Sequence, residues 1–160
     1  MDDSQNKLLL GRIKNIEKHI GHALWEVQGL EQLVTKYYTF IKISEIPDFT
    51  DKNFRKTLRV VVGKLKEVIE LDGNFERRLD HFVDERNWLV HRIRLHNFTD
   101  LMKNSNFQSL IKRVDNLSEE ARNLIHIFDK LMMEHCKQLG DTPKIIEEKQ
   151  QELINSWLIS

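Results

Sequence analysis

The chain has 160 residues, with 25 lysines and arginines balanced by 25 aspartates and glutamates, and only 6 glycines and 2 prolines. That length suits a single domain over residues 1–160, and low Gly and Pro with 31% charged residues excludes a turn-rich sandwich and suits long helices. Zero net charge excludes a global field for nucleic acid or membrane, so any such binding requires a local patch.

Cys136 stands alone, which excludes an internal disulfide framework, and Met1-Asp2-Asp3-Ser4 lacks the build of a signal peptide. No apolar run approaches the roughly 18 residues of a membrane span. Together these features predict a cytoplasmic protein with no membrane partner.

From Leu9 the apolar positions run Leu9, Ile13, Ile16, Ile20, Ala23, Val27, Leu30, Val34, Tyr37 and Ile41, alternating steps of four and three that define a helical seam. Continuous from Ser4 to Ile43, this helix would extend about 60 Å, so it is expected to kink at Gly21 or Gly29, split, or project toward a second subunit. Ser44 to Asp51 reads as a loop around Pro47. A second helix follows, with Phe54, Leu58, Val61, Leu65 and Val68 on its seam, ending at the turn signal Leu71-Asp72-Gly73-Asn74.

The third helix is predicted from about Phe75 to His96. The fourth begins near Ser105, which has capping-box spacing to Gln108, and its seam runs Phe107, Leu110, Val114, Leu117, Ala121, Leu124, Phe128, Leu131, with an end at Gly140. Asp141-Thr142-Pro143 opens a shorter fifth helix carrying Ile146, Leu153 and Trp157. With one apolar face per helix and only other helices to cover it, the expected fold is all-α, an antiparallel bundle of about five helices.

The third helix breaks its own pattern. Phe75, Leu79 and Phe82 call for an apolar residue four positions on, where the chain has Arg86 before Leu89 and Ile93 resume. A guanidinium on a buried stripe needs an acidic partner or a ligand's anion. Glu31, beside Leu30 and Val34 on the first helix, is the structural partner candidate. His91 lies about 140° round from Arg86, and Asn87, one turn before His91, could hydrogen-bond and orient its ring. Arg92, Arg94 and His96 make the following turn basic, a phosphate-sized patch.

Glu85-Arg86-Asn87-Trp88-Leu89-Val90-His91-Arg92 resembles the R-x4-6-H motif of HEPN (higher-eukaryote and prokaryote nucleotide-binding) domains, in which a polar residue, often Asn, follows the Arg. With the Trp25 to Tyr38 helix upstream, the chain is similar over most of its length to small HEPN-like bacterial proteins. The resemblance implies a helical fold and a metal-independent endoribonuclease of toxin or defence type, with a composite active site at a homodimer interface. His91 would then serve acid-base chemistry, Arg86 phosphate stabilisation and Asn87 the orientation of His91, while Arg92, Arg94 and His96 contact RNA. Ile93 stands where members restrained by nucleotidyltransferase antitoxins carry tyrosine, so that regulation is not implied; another antitoxin or regulatory protein remains a candidate partner.

The alternative is a non-catalytic HEPN-like module that binds nucleotide, RNA or a protein; Arg86 bonded to Glu31 within one subunit would favour it. No cofactor is expected. His19 with His22, or His22 with Glu26, has helical spacing that could hold a metal but lacks a third ligand, so no metal site is assigned. His135-Cys136 reads as packing, and Trp25, Trp88 and Trp157 read as core or interface anchors in preference to base-stacking surfaces.

Overall fold

The computed structural model describes residues 3–43, 57–93, 101–138 and 140, and all regular structure among them is helical. Four helices of eleven residues or more are present among the described residues: α1 (Asp3–Ile43), α2 (Leu58–Val68), α3 (Gly73–His91) and α4 (Asn104–Gln138). The predicted fifth helix and Phe54 lie outside the described residues. Neither Gly21 nor Gly29 interrupts α1, because both are exposed and the apolar seam runs past them unbroken.

α3 begins at Gly73, two residues earlier than the seam indicated, because Asp72 is its cap. Asp72 Oδ2 accepts hydrogen bonds from the backbone N–H of Asn74 at 3.2 Å and Phe75 at 3.4 Å, satisfying donors that the first helical turn leaves open. The helix stops at His91 instead of His96; the Arg92 N–H still reaches Trp88 O at 2.8 Å, and Arg92 is the C-cap. α4 starts at Asn104, with Phe107 N–H bonded to Lys103 O, so Ser105 lies inside the first turn and is not the cap.

The chain divides into two compact units. The first comprises Met1–Glu31 and Glu70–Leu124, and so contains the earlier part of α1, all of α3 and the earlier part of α4. Ile16, Phe107 and Leu110 are buried together, with Ile20, Trp88, Ile93, Leu101 and Ile111 packed around them. Leu79, Phe82, Leu89, Val114 and Leu117 are also buried, as their seams require. Arg12 ties the unit's end, donating to Leu101 O at 2.7 Å and Met102 O at 2.6 Å while its guanidinium lies over Phe107.

Within this unit α1 and α4 run parallel. Three successive polar contacts climb both helices in the same direction: His19 to Asp115, His22 to Ser118 and Glu26 to Arg122. α3 opposes α4, since Arg78 meets Glu120 whereas Glu85, further along α3, meets the earlier Arg113. The physical reason is connectivity: when one leg rises and the next descends, the third must rise again and lie parallel to the first.

The second unit comprises Gln32–Ile69 and Ile125–Ser160. Here α1 is buried on nearly every side, at Val34, Thr35, Tyr37, Tyr38, Thr39 and Phe40, which is broader than the seam through Val34, Tyr37 and Ile41. Thr39 meets the cost of burying a hydroxyl by donating to Thr35 O at 2.9 Å. Tyr37 packs edge-on against Phe128, and Phe40 and Cys136 form a cluster with Met132 and Met133. From α2 the unit buries Leu58, Val61, Val62 and Leu65; Val68, predicted on that seam, is 45% exposed.

Candidate functional site

The motif of α3 lies wholly within the first unit. Arg86 points into the bundle with its side chain 20% exposed, and its Nε donates to Glu31 Oε1 at 2.5 Å. Glu31 is similarly sheltered, at 25%. Arg86 Nη1 donates to Asn87 Oδ1 at 3.2 Å, so the Asn87 carboxamide oxygen is directed to the guanidinium. These bonds use two of the five donors of the guanidinium and fix its plane.

His91 is the last residue of α3 and is exposed, as are Val90 before it and Arg92 after it. At 100° per residue His91 leaves the helix about 140° from Arg86, so one protomer does not converge the two side chains on a common point. Arg94 and His96 lie outside the described residues.

On another face of α3 lies a feature the motif did not indicate. A groove of about 730 Å³ between α3 and α4 is floored by Phe82 and Leu117 and flanked by His81, Arg77 and Asn116. Two bidentate ion pairs cross it: Arg78 holds both oxygens of Glu120 at 2.9 and 3.0 Å, and Arg113 holds both oxygens of Glu85 at 2.7 Å. Hydrogen bonding from Arg113 holds the Glu85 carboxyl below the usual glutamate range, while the Glu85 bond in turn raises Arg113. Arg113 also lies 3.7 Å above the Trp88 ring. A mirrored spacing was the available signal, because Arg78 and Glu85 are separated by the same interval as Arg113 and Glu120.

Arg78 and Arg113 in the groove are therefore engaged with carboxylates, Arg77 donates to Gly73 O at 3.1 Å, and neither Arg86 nor His91 lines the groove. Among the described residues no three His, Cys, Asp or Glu side chains gather as a metal site. His19 and His22 instead face Asp115 and Ser118 on α4, and Cys136 is free and buried. Among the described residues no helix is long and apolar enough to cross a membrane.

The tryptophans separate by environment. Trp88 packs on the Ile16, Phe107 and Leu110 cluster and is an anchor, whereas Trp25 is 76% exposed. Trp157 lies outside the described residues.

No protein-family profile, curated protein or solved structure matches the chain.

Proposed function

We propose that this chain is a HEPN-like helical module that binds RNA, with Arg86 serving chiefly as a structural cation. The observation that carries this reading is the Arg86–Glu31 pair. A guanidinium that stabilises charge developing on a phosphate must face that phosphate, and here its nearest anion belongs to the same fold. The motif Arg86-Asn87-Trp88-Leu89-Val90-His91 supplies the RNA class, through its resemblance to HEPN domains.

A second reading is favoured by the exposure of Val90 and His91 together at the end of α3, which offers a second copy an apolar side chain beside an imidazole. In that reading the protein is a metal-independent endoribonuclease with a composite site at a homodimer interface. His91 takes the proton of a ribose 2′-OH as that oxygen attacks the adjacent phosphorus; the P–O5′ bond breaks, and a protonated imidazole returns a proton to the leaving oxygen. The products are a 2′,3′-cyclic phosphate and a 5′-hydroxyl. Arg86 then holds the phosphoryl oxygens, Asn87 positions Arg86 and Arg92 contacts the RNA backbone.

The two readings part in one experiment. The purified protein, its His91→Ala variant and its Arg86→Ala, His91→Ala variant are incubated with a mixed RNA pool in EDTA, with binding followed by filter retention and product ends analysed. Retention of RNA without new ends is the outcome expected of the binding module. Cyclic-phosphate ends that disappear with His91→Ala establish the ribonuclease, and neither retention nor cleavage would remove both.

A further inference from the structure

The unbroken α1 carries an outward stripe that the bundle does not use. Taking Trp25 as the reference, 100° per residue puts Lys7 on the same line, Lys14 and Lys18 within about 20° of it, and Gly11 and Gly21 within about 40°. All six residues belong to the first unit and all are exposed, Trp25 at 76% and the Lys7 side chain at 80%. Lys7 to Trp25 covers about 27 Å of helix.

Three physical features of the stripe point the same way. An indole this exposed leaves much of its apolar surface in water. Glycine within a helix costs about 1 kcal/mol relative to alanine, yet a side-chain carbon added at Gly11 or Gly21 would meet nothing within 4 Å, so the fold does not need either glycine. The lysines, finally, outnumber the carboxylates. Asp3, which approaches Lys7 at 3.7 Å, is the carboxylate near the line; Glu17 and Glu26 stand about 80° and 100° round the helix.

We infer that this stripe is a contact face for single-stranded RNA, with Trp25 as the base-stacking platform and Lys7, Lys14 and Lys18 on the phosphates. The inference rests on the RNA reading above for its choice of nucleic acid. Cations in a row beside an exposed aromatic ring are the two elements that sequence-tolerant single-strand binding combines. The bare backbone at Gly11 and Gly21 lets a ribose or base lie close to the helix. With a net charge of zero over the whole chain, attraction to RNA has to be local, and this stripe supplies it. A second copy laid face to face on the stripe would bring lysines against lysines, a residue type depleted at protein interfaces.

The test is fluorescence anisotropy with fluorescein-labelled oligouridylate over a range of salt. It compares the parent, Trp25→Ala, Lys14→Gln with Lys18→Gln, and His91→Ala, all checked for unchanged helicity. Trp25→Ala is expected to weaken binding about tenfold. The double lysine variant is expected to flatten the slope of log affinity against log salt by about 1.4, from roughly 0.7 per phosphate contact. Parent-like binding by both stripe variants overturns the inference, and if His91→Ala alone loses affinity the RNA reading survives without it. Oligodeoxythymidylate is run in parallel: equal, stripe-dependent binding of both polymers retains the stripe and removes the preference for RNA. A parent that dimerises in sedimentation while Trp25→Ala stays monomeric would assign the face to a second copy and overturn the inference.

Discussion

A double-mutant cycle on Arg86 and Glu31 tests whether this pair is structural. Breaking a fully buried ion pair costs about 3–5 kcal/mol. These side chains keep 20% and 25% of their exposure, so the abandoned partner regains some water and the penalty falls toward about 1–2 kcal/mol for each single change. Arg86→Met restores an apolar residue between Phe82 and Leu89 but takes the guanidinium away from Glu31; Glu31→Gln takes the carboxylate away from Arg86. The double variant carries neither charge, so it should cost about 1 kcal/mol, giving a coupling of roughly 1–3 kcal/mol. Urea unfolding followed by helical circular dichroism would show single-variant midpoints lowered by about 0.5–1 M, with the double variant no lower than either. Costs that add to within about 0.5 kcal/mol would refute the reasoning, because independent sites add and a stranded charge does not.

Arg113→Ala removes both the Glu85 fork and the cover over Trp88, and is expected to cost about 1–2 kcal/mol with a change in near-ultraviolet dichroism; an unchanged spectrum would contradict the stacked geometry. The folded Glu85 carboxyl is depressed by Arg113, so its stabilisation is complete above the ordinary glutamate range and drains away as pH falls through the folded value. Glu85→Gln should accordingly lower stability at neutral pH and shrink the acid loss, read from unfolding midpoints between about pH 3 and 7. Asp72→Ala should cost about 1 kcal/mol through the lost N-cap, measured in the same unfolding assay. Gly21→Ala should stabilise by about 0.5–1 kcal/mol, since the new methyl meets open space inside a helix; destabilisation would mean that the glycine serves the fold after all.

Burial followed the seams closely where one face of a helix meets the core. Phe107, Leu110, Val114, Leu117, Ala121, Leu124 and Phe128 are buried as their spacing predicted. Periodicity could not foresee the burial of Thr35, Tyr38 and Thr39, because a helix covered on several sides loses the one-sided pattern. Nor does periodicity carry direction, which is why the parallel run of α1 and α4 emerges only from paired contacts. At the site, Arg86 stood out because a cation interrupted an apolar stripe, and Glu31 was nameable from its place beside Leu30. The Arg78–Glu120 and Glu85–Arg113 forks were hidden because charged residues on the outer face of a helix look alike until a neighbour is placed opposite them. The exposure of Trp25 was hidden for a related reason, because only the packed bundle shows which side of α1 it occupies.

The contacts His19–Asp115, His22–Ser118 and Glu26–Arg122 keep one constant separation along the chain. A residue inserted within α1 between two of these partners would turn everything beyond it by about 100° and misalign the later contacts with α4. A matching insertion in α4 would bring the two helices back into step. Homologues of this chain should therefore gain or lose residues within these two helices in coupled pairs.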